Sequence, residues 1–335
     1  MSNQKNHLLV ILCGGTGPRL WPLSTTSNPK QFLSILSDKS LLEQTLNRLL
    51  HIAPQENIYV VTSNRNINHL KNIASNFISP NHIIVEPDKK NTALAIYYTL
   101  NQFQDLDPET VISFLPSDHF IHPVNKFKKD LTLAAAIARE SLSLVTIGIH
   151  PSSPNTSYGY ILKNHRFIEK PDKISALKLI VKDALWNSGI YTATLATYLS
   201  EFNKHFPHPT YQKSPPLSFD KAISEKSKNI NCVKASFNWS DVGEWGSIFA
   251  KSTHDHQKIA TVNSQTKYLS LNSHRCLLSS ENPDKLIGLV GVSSLAIIDT
   301  PNALLISSLD QSHQVRDLVA KIVNTPKLKK YFVND

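Results

Sequence analysis

Leu8-Leu9-Val10-Ile11-Leu12-Cys13-Gly14-Gly15-Thr16-Gly17-Pro18-Arg19-Leu20-Trp21-Pro22 is the segment from which the fold can be predicted. Its apolar first half predicts a buried strand that runs directly into a loop with three glycines and one arginine. Glycines let backbone N–H groups approach an anion closely, and an arginine adds a fixed positive fork. The chain has only 10 glycines in 335 residues, so three within four positions indicate a loop that holds phosphate groups.

The spacing after these glycines argues against two familiar phosphate-binding loops. A Walker loop carries Lys-Ser or Lys-Thr after its second glycine, whereas Pro18-Arg19 follows Gly17 here. The dinucleotide-binding fingerprint needs a glycine three residues after Gly17, where this chain has Leu20. The loop is therefore not a Walker loop, and its spacing disfavours a nicotinamide-dependent enzyme.

The composition indicates a globular protein with small-molecule substrates. Hydrophobic residues make up 41% and charged residues 18% of the chain, enough for one large domain and a smaller one. The net charge is +9, but no basic run is interleaved with aromatic residues, so we expect no nucleic-acid partner. No apolar run approaches the ~20 residues of a membrane span, and three widely spaced cysteines indicate reduced thiols. We therefore expect a cytoplasmic protein without a membrane partner.

Short β-branched runs alternate with helical patterns over the first 150 residues. The predicted elements are strand 8–13, helix 41–50, strand 57–62, helix 67–77, strand 82–86, helix 92–103, strand 110–115, helix 126–140 and strand 144–149. Ser40-Leu41-Leu42-Glu43 is a capping box that opens the first helix. The alternation predicts a Rossmann-like α/β fold with a doubly wound, mostly parallel sheet, whose ligands bind beyond the carboxyl ends of the strands.

The pattern changes towards the C-terminus, and the change predicts a second domain. Residues 151–260 are mixed, whereas short apolar runs recur after about residue 261 and end in a predicted helix, 315–323. The apolar runs are 268–271, 276–278, 286–290, 295–298 and 303–306. We therefore predict a larger domain over 1–260 and a small all-β domain, closed by a helix, over 261–335.

Six segments, in one order along the chain, resemble the signature of sugar-1-phosphate nucleotidylyltransferases. They are the opening loop with Pro29-Lys30-Gln31-Phe32-Leu33, Glu86-Pro87 with Asn91-Thr92-Ala93, Leu115-Pro116-Ser117-Asp118-His119, Ser157-Tyr158-Gly159-Tyr160-Ile161, Phe167-Ile168-Glu169-Lys170-Pro171 with Trp186-Asn187-Ser188-Gly189, and Asn238-Trp239-Ser240-Asp241-Val242-Gly243. One such segment is weak evidence, but six in family order over residues 8–246 are specific. The first segment is most similar to the mannose-1-phosphate guanylyltransferase branch.

The resemblance implies a reaction and its substrates. Members of this branch transfer GMP from GTP to α-D-mannose 1-phosphate and release GDP-mannose and pyrophosphate. The attacking phosphate oxygen is already an anion, so the reaction needs positioning and charge stabilisation rather than a strong base. We therefore expect GTP and mannose 1-phosphate as substrates and Mg²⁺ as cofactor. The resemblance also implies a homodimer and a left-handed β-helix-like fold for the small C-terminal domain.

Carried over residue by residue, the resemblance implies five catalytic residues. Asp118 and Asp241 are expected to bind Mg²⁺, a hard cation that takes carboxylate oxygens and completes its shell with phosphate and water. Arg19 and Lys30 are expected to bind the triphosphate, and Lys170 the sugar phosphate. Taken singly, either aspartate is more simply explained as the cap of a turn. Lys170 is likewise explained as half of an exposed ion pair with Glu169 that contributes little to stability.

Two further sets of residues complete the expected site. Glu86 is expected to accept hydrogen bonds from guanine N1 and N2, which adenine does not offer, while Glu169 and Asn187 are expected to contact sugar hydroxyls. The predicted nucleotide-binding residues are Leu12, Gly14, Gly15, Thr16, Gly17, Glu86, Pro87, Asn91, Thr92 and Ser117. The predicted sugar-phosphate-binding residues are Tyr158, Gly159, Glu169, Lys170, Asn187 and Gly189.

Among the departures from the family pattern, Pro18 and Thr25 leave alternatives open. Pro18 stands where threonine is usual, which removes one backbone N–H from the loop, and Thr25 replaces a common arginine. A nucleotidylyltransferase for another sugar or base is one alternative. The other is a noncatalytic nucleotide-sugar-binding regulatory subunit, against which the retained Asp118 and Asp241 argue.

Overall fold

The computed structural model describes residues 7–333, which form two compact units. The first unit contains the chain up to Gly14, Leu46–Ser117 and Ile121–Trp239. The second contains Gly15–Thr45, Asp118–Phe120 and the chain from Ser240 onward. The division at residue 260 stays a prediction, and the ends of the two predicted domains, 1–6 and 334–335, lie outside the described residues.

A nine-stranded, mostly parallel sheet forms the centre of the first unit and confirms the predicted fold class. The strands up to residue 240 are β1 (His7–Cys13), β2 (Ile58–Ser63), β3 (Ile83–Glu86), β4 (Val111–Pro116), β5 (Phe120–His122), β6 (Leu144–Ile149), β7 (Tyr160–Ile161), β8 (Phe167–Ile168), β9 (Leu185–Thr194), β10 (Ile230–Lys234) and β11 (Asn238–Ser240). The sheet runs in the order β10-β6-β9-β4-β1-β2-β3, with β7 and β8 attached beside β9.

Strand β9 is the main exception to the parallel order. It lies between β4 and β6 and is antiparallel to both. This strand carries Asn187 and Gly189 and falls in the region where the sequence pattern is mixed. The exception therefore places two of the predicted sugar-binding residues within the central sheet.

The helices match the predicted ones closely in the first half of the chain. They are α1 (Leu41–Leu50), α2 (Ile67–Ala74), α3 (Asn91–Gln102), α4 (Val124–Ser141), α5 (Lys173–Val181), α6 (Leu195–His205), α7 (Trp245–Lys251) and α8 (Val315–Asn324). The capping box of α1 is confirmed, because the Ser40 N–H donates to Glu43 Oε2 at 2.7 Å and the Glu43 N–H to Ser40 Oγ at 3.2 Å. Within residues 7–333, no helix is both long enough and apolar enough to cross a membrane.

The C-terminal part of the second unit consists of short strands stacked in successive turns, which confirms the expected β-helix-like domain. Its strands are β12 (Ile259–Thr261), β13 (Lys267–Leu271), β14 (Cys276–Ser280), β15 (Leu286–Val290), β16 (Leu295–Asp299) and β17 (Leu304–Ser308). Successive strands alternate between two sheets: β12, β14 and β16 pair in parallel in one, and β13 and β15 pair in parallel in the other. The edge strand β17 is antiparallel to β16 and closes the first of these sheets.

The opening loop packs on the apolar core of the same unit. Leu20 and Trp21 are buried with Ile298 of β16 and Val319 of α8. The Trp21 indole N–H donates to the Tyr331 carbonyl at 2.9 Å. The backbone just after the glycine-rich loop is therefore fixed by apolar packing, so the loop has a rigid support.

Candidate functional site

Lys30 joins the two predicted metal-binding aspartates in the second unit. Its ammonium nitrogen lies 2.7 Å from Asp118 Oδ2 and also donates a hydrogen bond to the backbone carbonyl of Asp241. The Lys30 side chain is 7% exposed and that of Asp118 is 25% exposed. Burial is the largest single influence and acts to raise the pKa of the Asp118 carboxyl, but the charges of Lys30 and His119 and the hydrogen bond from Lys30 together hold the pKa below its usual value. The shielded Lys30 ammonium is therefore the first of several groups that keep Asp118 ionised.

The glycine-rich loop makes room for the stem of Lys30. Gly17 has φ +68°, in the left-handed region, and a Cβ added there would lie 2.4 Å from the Lys30 Cβ. The Lys30 N–H donates to the Thr16 carbonyl at 3.2 Å, which ties the two segments together. A side chain at position 17 would therefore displace Lys30 from the aspartates.

Pro18 and Thr25 both fit the loop geometry that the structure shows. Pro18 opens a short 3₁₀ helix, Pro18–Leu20, where the first residue needs no N–H for helical bonding. Thr25 closes a turn: its hydroxyl accepts from the Asn28 N–H at 3.1 Å. Neither departure from the family pattern disturbs the contact between Lys30 and Asp118.

Asp241 lies in a tight, strained turn. Val242 is buried with φ +48°, an uncommon conformation for a β-branched residue. The Gly243 N–H donates to Asp241 Oδ1 at 3.0 Å, and a Cβ on Gly243 would lie 2.4 Å from Asp241 Oδ2. Gly243 thus allows the carboxylate of Asp241 to fold back over its own turn.

Glu244 adds a third carboxylate to this region, and sequence reasoning missed it. Burial and then the charge of Asp241 raise the pKa of the Glu244 carboxyl, while the charge of Arg19 opposes the rise. Asp241 and Arg19 therefore both act on Glu244 through space. Glu244 also forms a capping box with Ser247 at the start of α7, which gives it a structural role.

Glu86 forms a separate group in the first unit, at the carboxyl end of β3. It is buried, and Tyr211 donates its hydroxyl hydrogen to Glu86 Oε2 at 3.0 Å. A Cβ on Gly14 would lie 3.5 Å from Glu86 Oε1, so the first glycine of the loop adjoins this carboxyl. Burial raises the pKa of Glu86 to about 7, although Tyr211 and Lys89 oppose the rise. Glu86 can therefore change its protonation state near neutral pH.

Two predicted nucleotide-binding residues, Asn91 and Thr92, lie at the start of α3. Asn91 has φ +68°, and its side chain accepts from the Thr92 N–H at 2.8 Å. The Thr92 hydroxyl accepts from the Phe219 N–H at 2.8 Å, and the Ala93 N–H donates to the Leu217 carbonyl at 3.2 Å. Thr92 therefore anchors the segment before the only π-helical turn found in residues 7–333, Asp220–Ser224.

Glu169 and Lys170 form the predicted pair in another part of the first unit. The Lys170 ammonium donates to Glu169 Oε1. The Glu169 side chain is buried, but that of Lys170 is 54% exposed and its backbone has φ +47°. Gly159 leaves space for Glu169, since a Cβ there would lie 2.8 Å from Glu169 Oε2.

Asn187 is held by a buried network that the sequence did not reveal. Its Oδ1 accepts from the Thr146 hydroxyl at 2.8 Å. Its Nδ2 donates to the Tyr191 hydroxyl at 2.9 Å and to Asp220 Oδ1 at 2.9 Å. The Tyr191 hydroxyl itself donates to the same Asp220 oxygen at 2.7 Å. These side chains therefore form one hydrogen-bonded unit beside Gly189, which has φ +72°.

Besides the Asn187 network and the start of α3, the structure forms three groups around charged residues that the sequence predicted. The second unit holds Lys30, Asp118 and Asp241 together; the first unit holds one group around Glu86 and another around Glu169. The remaining predicted residues have these surroundings: the Leu12 carbonyl accepts from the Ser117 N–H at 3.2 Å, Tyr158 stacks edge-to-face on Trp186 and Trp239, and Gly15 and Pro87 are exposed. Tyr211, Asp220 and Glu244 are added by the structure, and only their spatial neighbours mark them.

Comparisons with known protein families agree with the fold of the two parts of the chain. Residues 8–258 match the model of the nucleotidyl transferase family, which is three quarters of the chain. Residues 266–322 match the model of the MannoseP isomerase/GMP-like beta-helix domain. The first match covers the segment that forms the nine-stranded sheet, and the second covers the β-helix-like domain.

Individual relatives cover nearly the whole chain. The xanthan biosynthesis protein XanB of Xanthomonas campestris pv. campestris is 30% identical over 94% of this chain and 73% of its own length. A mannose-1-phosphate guanylyltransferase of Escherichia coli is 31% identical over 93% of this chain and 73% of its own length. A crystal structure from Thermus thermophilus, described as a mannose-1-phosphate geranyltransferase, is 25% identical with a TM-score of 0.84 and covers 94% of this chain and 99% of its own.

Proposed function

The chain belongs to the nucleotidyl transferase family, and from this membership we propose that it is a mannose-1-phosphate guanylyltransferase. It would transfer GMP from GTP to α-D-mannose 1-phosphate and give GDP-mannose and pyrophosphate. The relatives named mannose-1-phosphate guanylyltransferase support this choice of sugar and base. The observation that carries the proposal is the Lys30 ammonium held between Asp118 and Asp241.

In the proposed reaction, a phosphate oxygen of mannose 1-phosphate attacks the α-phosphorus of GTP. The new P–O bond forms as the bond from the α-phosphorus to the bridging oxygen breaks, and pyrophosphate leaves with that electron pair. No proton transfer is needed, because the nucleophile is already ionised. Lys30 and Arg19 would bind the triphosphate and offset the negative charge that accumulates on the leaving group.

The residues present fit a divalent cation. Asp118 is ionised and already faces a positive group at 2.7 Å, and both aspartates offer hard oxygen atoms. We propose that Asp118 and Asp241 hold Mg²⁺, which when bound neutralises phosphate charge and polarises the α-phosphoryl group. Phosphate and water oxygens would complete its shell, since two carboxylates are typical of a nucleotide-dependent magnesium site.

The groups in the first unit would select the substrates. Ionised Glu86 has the acceptor oxygens that guanine N1–H and N2–H₂ require, and its Oε1 adjoins Gly14 of the glycine-rich loop. Glu169 and Lys170 would bind the mannose 1-phosphate, with the exposed ammonium of Lys170 directed to its phosphate by charge attraction. The buried side chain of Glu169 would accept from a sugar hydroxyl.

The test is pyrophosphate release by the purified chain with Mg²⁺, GTP and mannose 1-phosphate, with ATP and glucose 1-phosphate as parallel substrates. Release with the GTP and mannose pair alone is the expected result. Asp118→Asn should abolish turnover, and the exposed Asp284→Asn of the same unit is the matched control. Turnover with a different pair would change the substrate; GDP-mannose binding without any turnover would indicate a noncatalytic regulatory subunit.

We also propose that the protein acts as a homodimer. The outward side chains of the sheet β13–β15 include Leu269, Leu271, Leu286 and Val290, which are 61–71% exposed and share one face. A contiguous apolar face on a folded protein marks an interaction site, and a second copy of the same face would cover it. Sedimentation analysis should give twice the monomer mass for the chain and a monomer for Leu271→Lys combined with Val290→Lys.

We further propose that the reaction takes place in the cytoplasm, where nucleoside triphosphates are supplied. Fractionation of cells that express the chain, followed by immunodetection, tests this location. Recovery in the membrane or secreted fraction would contradict it.

A further inference from the structure

Asn187 has no side-chain donor left for a ligand. A carboxamide has two N–H hydrogens, and those of Asn187 go to the Tyr191 hydroxyl and to Asp220 Oδ1, both at 2.9 Å. Its oxygen accepts from the Thr146 hydroxyl at 2.8 Å, and the residue is 9% exposed. The side chain of Asn187 therefore has a structural role, because it holds the carboxylate of Asp220 in place.

The carboxylate of Asp220 is fixed through one oxygen and open at the other. Oδ1 accepts from both Asn187 Nδ2 and the Tyr191 hydroxyl, the latter at 2.7 Å. Oδ2 has no hydrogen bond to any residue within 7–333, and Asp220 is only partly buried. Two donors on one oxygen set the plane of the carboxylate, so the free oxygen points in a defined direction at no further entropic cost.

Asp220 also lies close enough to the predicted sugar-binding pair to act on it electrostatically. Burial raises the pKa of Glu169, and the next largest cause of the rise is the charge of Asp220. Lys170 bonds to Glu169, so Asp220 acts through space on one member of this ion pair. Asp220 also begins the π-helical turn Asp220–Ser224, a local widening of the helix that often occurs at functional sites.

We propose that Asp220 is a further specificity-determining residue, whose Oδ2 accepts a hydrogen bond from a hydroxyl group of the sugar 1-phosphate. Asn187 and Tyr191 are positioning residues that hold this carboxylate in place. The inference rests on the proposed function, because it assigns a role within the same sugar site. It replaces the direct sugar contact expected of Asn187 with an indirect one.

The experiment measures GDP-mannose formation by the full chain and by Asp220→Asn, with mannose 1-phosphate and GTP varied separately. A charged hydrogen bond to substrate gives an expected rise in KM for mannose 1-phosphate of about 10- to 100-fold. The KM for GTP should stay within about twofold. Tyr191→Phe, which removes one orienting donor, should raise the KM for mannose 1-phosphate by a smaller factor of roughly 3 to 10.

Deoxy analogues of mannose 1-phosphate separate contact from mere structural support. In the parent chain, one monodeoxy analogue should lose about the same factor in kcat/KM as the Asp220→Asn variant loses on the full substrate. In Asp220→Asn, the same analogue should carry no additional loss, because the hydrogen bond is already absent. A folded Asp220→Asn with an unchanged KM for the sugar, or with full additional losses for every analogue, overturns the inference.

The controls keep this result separate from that of the proposed function. If the parent chain never turns over mannose 1-phosphate, the proposed function fails, and Asp220 is then tested on whichever sugar phosphate is consumed. Thermal unfolding shows whether Asp220→Asn is folded. If Asp220→Asn is not folded, the test uses Tyr191→Phe instead. An unchanged KM for the sugar phosphate in Tyr191→Phe then rejects the role of Asp220.

Discussion

Asp118 in the second unit and Glu86 in the first are both shielded carboxyls, and the structure treats them in opposite ways. Burial acts to raise the pKa of each. Asp118 bonds to the Lys30 ammonium at 2.7 Å and has further lowering partners, so its pKa stays low, whereas the pKa of Glu86 rises to about 7. An ion pair with Lys30 is thus part of what offsets desolvation at Asp118, and the Tyr211 hydrogen bond with the Lys89 charge does not offset it at Glu86.

The contrast matches the two proposed tasks. A carboxylate that is to hold a divalent cation has to be ionised before the substrate arrives, and Lys30 supplies the balancing charge in the free chain. A carboxyl that is to accept from a purine base gains its partner donors only when the base is bound. Lys30 must therefore exchange its partner for phosphate during the reaction, while Glu86 must lose its proton.

The largest effect is expected from removing the positive charge of Lys30. Lys30→Met should lower kcat/KM at least 10³-fold, because the triphosphate loses a charged partner that acts in the transition state. Loss of the balancing charge also leaves the carboxylate of Asp118 open to an external cation. The affinity of Lys30→Met for Mn²⁺ in the absence of nucleotide should therefore be roughly tenfold higher than that of the parent chain. Electron paramagnetic resonance measures this affinity.

Lys39→Met is the matched control for this change. Lys39 is exposed in the same unit, and its side chain makes no hydrogen bond or ion pair within 7–333, so both measurements should match those of the parent chain. Activity of Lys30→Met within threefold of the parent value, or Mn²⁺ binding that is unchanged, would show that the ion pair is only structural.

The next largest effect concerns the base. Glu86→Gln keeps the size of the side chain but replaces one acceptor oxygen with a donor, so the preference for GTP over ATP in kcat/KM should fall roughly 10- to 100-fold. The KM for mannose 1-phosphate should not change. Competition between the two nucleotides measures the ratio, with the exposed Glu109→Gln as control. An unchanged preference in Glu86→Gln would remove Glu86 from base selection.

The pH dependence of GTP affinity tests the contrast between the two carboxyls directly. Guanine requires the ionised form of Glu86, and with a pKa of about 7 that form is lost as the pH falls from 8 to 6. The Kd for GTP should therefore rise about tenfold with each pH unit well below 7 and level off above it. Titration calorimetry from pH 5.5 to 8.5 measures this profile. Glu86→Gln should give a flat profile over the same range, and a parent profile that is equally flat would contradict the assignment.

Elements that depend on neighbouring residues could be predicted from the sequence, whereas contacts between residues far apart in the chain could not. The capping box at Ser40 and the short strands of the β-helix-like domain depend on neighbours in the chain, and both were predicted close to their observed bounds. The partner of Glu86 is Tyr211, 125 residues away, and no local pattern marks that pair. The positive φ of Val242 is likewise invisible, because a β-branched residue predicts the opposite.

The position of a residue in a motif does not determine the role of its side chain. The family resemblance implies that Asn187 belongs to the sugar site. Its expected role was a direct contact, but the structure uses both of its donors on Tyr191 and Asp220. Such a network depends on strand β9 running antiparallel in the middle of the sheet, which the mixed pattern of residues 151–260 could not show.

The smallest effect is expected at Pro18, which tests whether the backbone of the loop matters as much as its side chains. Pro18→Thr restores an N–H at the first position of the 3₁₀ helix Pro18–Leu20, where no helical bond uses it. The substitution should lower the free energy of unfolding by less than about 1 kcal/mol, through greater freedom of the unfolded chain. It should leave kcat/KM within about threefold, because Gly17 and Lys30 keep their contact. A tenfold fall in the KM for GTP would instead show that the added N–H binds phosphate, and would make the loop backbone a partner equal to Lys30.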